Sequence, residues 1–243
     1  MKLRFALVVG WLAGAYLLPF ALFWLLLRVP ESNVLMIAAS AAVALAIVVL
    51  AGCIETVALL ALRGAPLGRR LLRRGFRGVL PFVAALLVFA AAWWLTARFD
   101  AWWGSVRGEV DAWLIARFNW TSTGWLHATV GWISALARWV IGVSLALALF
   151  AGLVRDAPVE GPERPLWRRW LGAAFSPLAL AGLAALLVLF AWLPWQAVYW
   201  RPSWVAPSWP EVAFVAAKLG VLYLLANVGW TLALVLANRT RVR

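Results

Sequence analysis

Three charged side chains lie inside long apolar segments of the chain: Glu55, Arg138 and Lys218. Charged groups are unfavourable inside a lipid bilayer, so their presence there indicates a function or a specific partner. Arg138 and Lys218 are close enough to the ends of their segments for their long side chains to reach the membrane surface. Glu55 lies eight residues before Arg63, about 12 Å inside its helix at about 1.5 Å per residue. A glutamate side chain is shorter than that of arginine or lysine, so its carboxylate reaches less far towards the membrane surface.

Glu55 admits two interpretations. In the structural one, which we prefer, its carboxylate forms an ion pair with an arginine near the membrane surface, for example Arg70. In the functional one, the carboxyl group binds and releases a proton or a cation during transport. Two further polar residues, Asn227 and Thr231, lie one helical turn apart in the last apolar segment. We expect their amide and hydroxyl groups to form hydrogen bonds across helices.

The composition is that of a membrane protein. Hydrophobic residues make up 66% of the 243 positions and charged residues only 13%, against about half and about a quarter in soluble domains. A soluble fold could not bury this much apolar surface, and no polar stretch is long enough for a separate soluble domain. We therefore predict a single all-α, polytopic transmembrane domain over residues 1–243.

Six segments are apolar over about 20 residues, the length that crosses a bilayer. The basic residues are distributed unevenly around them: 15 of the 22 lie on the side that carries both termini. Basic residues favour the cytoplasmic side, so we expect both termini in the cytoplasm and the chain in a plasma membrane, a bacterial inner membrane in our interpretation. The six segments are 5–27, 33–62, 78–97, 129–154, 175–195 and 212–237.

Two short basic segments follow the second and fourth predicted spans. They read "PLGRRLLRRGF" (66–76) and "PLWRRWLGAAF" (165–175). On a helical wheel, each separates an apolar half from a half that contains arginines. We predict two short amphipathic helices on the cytoplasmic face, each joined by a bend near Gly78 or Pro177 to the next span. The arginines expected to face anionic lipid headgroups are Arg69, Arg70, Arg73, Arg74, Arg77, Arg168 and Arg169.

An offset of 99 residues aligns these two segments and parts of the spans around them. The alignment predicts a parallel internal repeat over 35–97 and 134–196, an arrangement found in some transporters. Convergence of two membrane hairpins on one common pattern explains the alignment equally well.

The side opposite the basic residues is rich in tryptophan, which favours the membrane–water interface. A platform on which a ligand stacks is the less favoured explanation of these rings. Over residues 100–118, an apolar stripe at helical spacing predicts an external amphipathic helix that rests on the outer leaflet.

Several classes of function are excluded or disfavoured by the residue types. A single cysteine, Cys53, allows no intrachain disulfide, and one cysteine with one histidine forms no metal cluster of the usual kind. We find no nucleotide-binding or zinc-protease motif and expect no cofactor, no metal and no enzymatic activity. The net charge of +13 is explained by membrane orientation, so we do not expect nucleic acid as a partner.

These observations favour a non-catalytic membrane component that interacts with lipids, with a partner subunit or with copies of itself. A small permease for a lipid or another amphiphile is the alternative, and it would use the repeat and Glu55. A second alternative is a lipid-modifying enzyme at the membrane surface, with Glu109, Asp111 and His127 as acid–base groups.

Overall fold

The computed structural model describes residues 2–29, 33–65, 68–154, 165–200 and 209–240. This part of the chain is helical, without a strand, and two π-helical segments, Ala137–Ile141 and Val188–Trp192, interrupt the α-helices. The α-helices are α1 (Lys2–Ala15), α2 (Leu17–Leu26), α3 (Val34–Leu62), α4 (Arg69–Arg77), α5 (Val79–Phe118), α6 (Gly124–Leu136), α7 (Gly142–Leu153), α8 (Leu166–Ala174), α9 (Pro177–Leu187), α10 (Leu193–Tyr199) and α11 (Trp209–Thr240).

Six helical stretches are long and apolar enough to cross a membrane, which confirms the predicted all-α, polytopic class. We number them as spans 1 to 6 in chain order. They are Leu3–Leu26, Val34–Leu62, Val79–Phe118, Gly124–Leu153, Pro177–Tyr199 and Glu211–Arg239.

The first and last described residues of the chain lie at one end of the helix bundle, which we call the arginine-rich end. Arg4 of span 1 and Arg239 of span 6 line one cavity together with Leu62, the last residue of span 2. Arg63 donates a hydrogen bond to the carbonyl of Val154, directly after span 4. The short helices α4 and α8 follow spans 2 and 4 and therefore lie at this end. We call the opposite end, where span 3 joins span 4, the tryptophan-rich end.

The core is centred on the second half of span 2, where residues 54–61 are all buried. Side chains from spans 1, 4 and 6 and from α4 pack around it. Towards the tryptophan-rich end, many large apolar side chains are exposed, as expected for a surface that faces lipid rather than water. The buried apolar residues around span 2 include Val8, Leu12, Leu71, Leu147, Phe150, Ala233 and Leu234.

The two basic segments form short helices, as predicted. Helix α4 covers Arg69–Arg77 and α8 covers Leu166–Ala174; residues 66 and 67, where the first prediction began, lie outside the described residues. The bends also lie where we expected them. Helix α5 begins directly after Gly78, and α9 begins at Pro177, a residue that suits the first turn of a helix because its missing N–H has no helical partner there.

Gly78 lies too close to span 2 to carry a side chain. A Cβ atom at this position would lie 2.6 Å from Thr56 Cβ and would overlap Thr56 Oγ1. Overpacking of this kind costs about 1–3 kcal/mol, so we expect Gly78→Ala to lower the melting temperature of the purified protein in detergent. Gly68→Ala is the matched control, because a Cβ there meets no atom within 4 Å. Equal melting temperatures for the two variants would contradict this close packing.

The predicted external helix over 100–118 is not a separate element, and this prediction was wrong. Helix α5 runs without a break over 40 residues, about 60 Å at about 1.5 Å per residue, which is twice the hydrocarbon thickness of about 30 Å. Its far half pairs with α6, so spans 3 and 4 form one extended hairpin (79–153). Leu114 is buried, whereas Trp102 and Trp113 are exposed, so part of the predicted apolar stripe packs in the hairpin.

The order span, short helix, span occurs twice, with α4 between spans 2 and 3 and α8 between spans 4 and 5. The π-helical segments in spans 4 and 5 have no counterpart in spans 2 and 3. The internal repeat therefore stays a prediction.

Candidate functional site

Glu55 is enclosed between spans 1, 2 and 6, with 1% of its surface exposed. Tyr16 of span 1 donates its hydroxyl hydrogen to Glu55 Oε1. Trp230 of span 6 donates its indole N–H to the same oxygen, at 2.8 Å. One carboxyl oxygen thus joins three helices, and we call Tyr16, Glu55 and Trp230 the Glu55 centre.

A proline kink places Tyr16 at this centre. Pro19 has no N–H to donate to the carbonyl of Ala15, so the helix is interrupted there. Span 1 accordingly divides into α1, which ends at Ala15, and α2, which begins at Leu17. Tyr16 occupies the interruption. Trp11 donates its indole N–H to the carbonyl of Ile54, at 3.3 Å, so spans 1 and 2 are joined by two aromatic donors.

The partners of Glu55 differ from the expected arginine. Both are neutral donors, and in the described part of the chain no arginine bonds to the carboxyl group; Arg70 is exposed on α4. Tyr16 and Trp230 could not be identified as its partners from the sequence, because their rings belong to the apolar pattern. The second oxygen, Glu55 Oε2, is buried and has no partner among the described residues.

Asn227 and Thr231 are buried in span 6, but they do not bond across helices as we expected. Asn227 Nδ2 donates to the carbonyl of Tyr223, at 2.9 Å, and Thr231 Oγ1 donates to the carbonyl of Asn227, at 2.7 Å. Both partners belong to their own helix. The bond to another span comes from Tyr223, whose hydroxyl donates to the carbonyl of Ala13 at 2.6 Å. The side chains of Asn227 and Thr231 therefore bond to backbone carbonyls of span 6, and the hydrogen bond to span 1 comes from Tyr223.

Arg63 joins three spans at the arginine-rich end, although the sequence showed it only as an orientation signal. Its Nη2 donates to the carbonyl of Ala151 at 2.8 Å, and its Nη1 donates to the carbonyl of Val154. Its Nε donates to Asn238 Oδ1 at 3.0 Å. The last carbonyls of a helix lack partners within it. The guanidinium group supplies those partners at the end of span 4 and holds spans 2 and 6 beside it.

Arg74 and Arg77 of α4 line a cavity of about 300 Å³ at the arginine-rich end. Thr56 of span 2 also lines it, and no carboxylate is among the described residues around the cavity. Guanidinium groups bind phosphate oxygens with two parallel hydrogen bonds, so the cavity suits a phosphate group. We call it the arginine cavity; its other described lining residues are Leu60, Gly78, Pro81, Leu153 and Val154.

The other predicted lipid-facing arginines lie outside this cavity. Four are exposed: Arg69, Arg70, Arg73 and Arg168. The guanidinium carbon of Arg168 lies 5.0 Å from the centre of the Trp167 ring, and Arg169 is half-buried.

Arg138 and Lys218 bind protein groups at the tryptophan-rich end. Arg138 lies in the π-helical segment of span 4, and its Nη2 forms an ion pair with Asp100 Oδ2 at 2.6 Å. Its guanidinium carbon lies 4.6 Å from the centre of the Trp93 ring. Lys218 Nζ donates to the carbonyl of Trp200, at 2.7 Å. Both cations therefore join neighbouring segments at this end.

The extended hairpin brings together two of the three acid–base candidates. His127 Nε2 and Asp111 Oδ1 are 2.8 Å apart, and the histidine side chain is 10% exposed. Glu109 is exposed on α5 and forms no hydrogen bond with this pair. Within the described ranges, no group of three or more His, Cys, Asp or Glu side chains is arranged to hold a metal ion.

Fold and site together define an all-α, multi-pass membrane protein with a buried carboxyl centre and an arginine-lined cavity. No protein-family model matches the chain, and no curated protein or solved structure is significantly similar to it.

Proposed function

We propose that this protein is a non-catalytic component of a bacterial inner membrane that binds the phosphate headgroups of anionic lipids at its cytoplasmic face. The arginine cavity is the observation that carries this proposal. It presents Arg74, Arg77 and the Thr56 side chain, with no carboxylate among its described lining residues. At the depth of α4, beside the end of span 2, the phosphate groups available are those of lipid headgroups.

The surface around the cavity supports the same partner. Arg69, Arg70 and Arg73 are exposed on α4, and none of them forms an ion pair in the described part of the chain. Leu72 and Phe76 of the same helix are also exposed. An amphipathic helix with free cations and exposed apolar side chains is suited to the boundary between headgroups and acyl chains.

The proposal requires the arginine-rich end to face the cytoplasm, and cysteine labelling tests this orientation. We expect a membrane-impermeant maleimide to label Ser105→Cys in intact cells and to label Gly68→Cys only after the membrane is opened, in a Cys53→Ser background. Both sites are exposed and lie at opposite ends of the bundle. The reverse labelling pattern would place the arginines outside and remove the basis of the proposal.

Lipid retention tests the arginine cavity itself. We expect Arg74→Gln/Arg77→Gln to lose the anionic lipid that the wild-type protein retains through detergent purification, as measured by native mass spectrometry. Each arginine near an anionic surface contributes about 1 kcal/mol, so the double variant should bind the lipid about thirtyfold more weakly.

Arg69→Gln/Arg73→Gln is the matched control, because it removes the same charge from the same helix outside the cavity. It should retain the lipid in detergent, where the bilayer surface no longer contributes. Equal retention by the two double variants would contradict a defined site. Retention after replacement of all five α4 arginines would show that the helix only orients the chain.

A non-catalytic component can also act by binding a partner subunit or a second copy of the chain. Purification in a mild detergent distinguishes these forms. A stoichiometric second protein supports a subunit role, and monomers that carry lipid support the lipid-binding role alone.

A small permease is the second candidate, and it is favoured by the unpartnered Glu55 Oε2. A carboxyl oxygen that is free in this way can exchange a proton or a cation during a transport cycle. The same carboxyl group also joins three spans, so movement at the Glu55 centre would change their packing. Flux through vesicles that contain Glu55→Gln tests this candidate.

A further inference from the structure

Two buried nitrogen atoms in the extended hairpin have no hydrogen-bond partner among the described residues: Trp103 Nε1 and His127 Nδ1. The two rings are neighbours, with centroids 5.7 Å apart. The histidine side chain is nine-tenths buried. An unpaired buried polar atom costs about 1–3 kcal/mol, so two of them on neighbouring rings call for a group that satisfies both.

The chemistry of the two atoms selects the group that fits. The Asp111 carboxylate accepts a hydrogen bond from His127 Nε2, at 2.8 Å, which leaves Nδ1 of the neutral ring as an acceptor. The indole nitrogen of Trp103 is a donor only. A hydroxyl group both donates and accepts, so one oxygen can satisfy both atoms. A phosphate oxygen would satisfy only Trp103, and an ammonium group would satisfy only His127.

The depth of the pair indicates where such a hydroxyl comes from. Trp103 lies 24 residues after Val79 and His127 lies 26 residues before Leu153, which correspond to about 36 and 39 Å of helix. An average tilt of about 20° reduces these heights to about 34 and 37 Å. The hydrocarbon core is about 30 Å thick, and the headgroups extend several ångströms beyond it. With Val79 and Leu153 placed at the opposite boundary of the hydrocarbon core, the pair lies in the headgroup layer at the tryptophan-rich end.

We infer that Trp103 and His127 bind a hydroxyl group of a polyol or sugar lipid headgroup in the leaflet at the tryptophan-rich end. The exposed Trp102, whose ring centroid lies 6.4 Å from that of Trp103, supplies an apolar face beside the headgroup. This site uses other residues, the opposite leaflet and a neutral ligand, so it is independent of the arginine cavity.

The single histidine of the chain makes the site directly observable. The protein, isotope-labelled only at histidine, is placed in phosphatidylcholine nanodiscs, and an uncharged glucosyl diacylglycerol is added in steps. We expect the Nδ1 resonance of His127 to shift saturably as the headgroup hydroxyl donates to it. Diacylglycerol serves as the comparison lipid. It has no sugar, and its single free hydroxyl belongs to its glycerol backbone.

Trp103→Phe keeps the ring and removes the donor. We expect it to raise the half-saturating fraction of the glycolipid about fivefold or more, the effect of losing one hydrogen bond. Trp113→Phe, at an exposed position on the same helix, should leave the titration unchanged. Melting temperatures of both variants show whether the hairpin is still folded.

Three results would overturn the inference. No shift with the glycolipid would mean that the two atoms bind only water. An equal shift with soluble methyl glucoside at the same concentration of sugar would remove the assignment to a lipid. Equal titrations for wild type and a folded Trp103→Phe would remove the indole from the site.

Discussion

Glu55→Ala is expected to destabilise the protein by about 3 kcal/mol or more, because two half-buried donors lose at once the acceptor that they share among the described residues. Tyr16 and Trp230 both donate to Glu55 Oε1, and alanine offers neither of them a partner. The loss should appear as a large decrease in melting temperature in detergent and as easier proteolysis between spans 1 and 2.

Glu55→Gln is the matched control. Its side-chain carbonyl can accept both hydrogen bonds, and its amide group takes the place of Oε2. We expect it to stay within about 1 kcal/mol of the wild type, the range of single hydrogen bonds between membrane helices. If Glu55→Gln melted as early as Glu55→Ala, a neutral acceptor would be insufficient and the centre would depend on an ionised carboxylate.

The same glutamine variant distinguishes the permease from a non-catalytic component. A folded Glu55→Gln protein can no longer exchange a proton at this position. Loss of coupled flux in a variant of wild-type stability would support the permease. Unchanged flux would mean that Glu55 only joins the three spans.

Arg63→Ala is expected to have the second large effect, a destabilisation of about 3–6 kcal/mol, because the two hydrogen bonds to the carbonyls at the end of span 4 come from a charged donor and contribute about 1.5–3 kcal/mol each. The guanidinium group bonds Ala151, Val154 and Asn238, so its removal leaves carbonyls at the end of span 4 without partners. The unfolding free energy in detergent and denaturant measures this effect.

Two substitutions control for charge. Arg63→Lys keeps the positive charge, but one ammonium group cannot reproduce the planar fork that reaches three acceptors, so we expect it to recover only part of the loss. Arg73→Ala removes an exposed arginine of α4 and should leave stability unchanged. Similar unfolding free energies for Arg63→Ala and Arg73→Ala would show that Arg63 does not hold the spans together.

The sequence predicted the helices that depend only on local patterns along the chain. A membrane span must satisfy its own backbone hydrogen bonds, so apolar length alone indicated six helices, and the observed spans match the predicted segments except where helices extend further. The amphipathic period and the breaks at Gly78 and Pro177 likewise predicted α4 and α8. The far half of α5 was assigned wrongly because an apolar stripe does not show whether it faces lipid or another helix.

The sequence also identified Glu55 as unusual, because an acidic residue in a long apolar segment is visible without a structure. Its partners were not visible. Tyr16 and Trp230 lie 39 and 175 residues away, and an aromatic ring looks the same in the sequence whether its polar atom meets a carboxylate or a headgroup.

Local periodicity and the bilayer therefore determined the class of the protein, its spans and its basic end from the sequence alone. Only the tertiary structure decided which polar atoms meet: the Glu55 centre, the bonds of Arg63 to Ala151, Val154 and Asn238, the contact of Asp111 with His127, and the two hairpin nitrogens that have no partner among the described residues. The physical reason is that hydrogen bonds between spans depend on how the helices pack and rotate. That packing results from contacts between residues far apart in the chain, which no local pattern specifies.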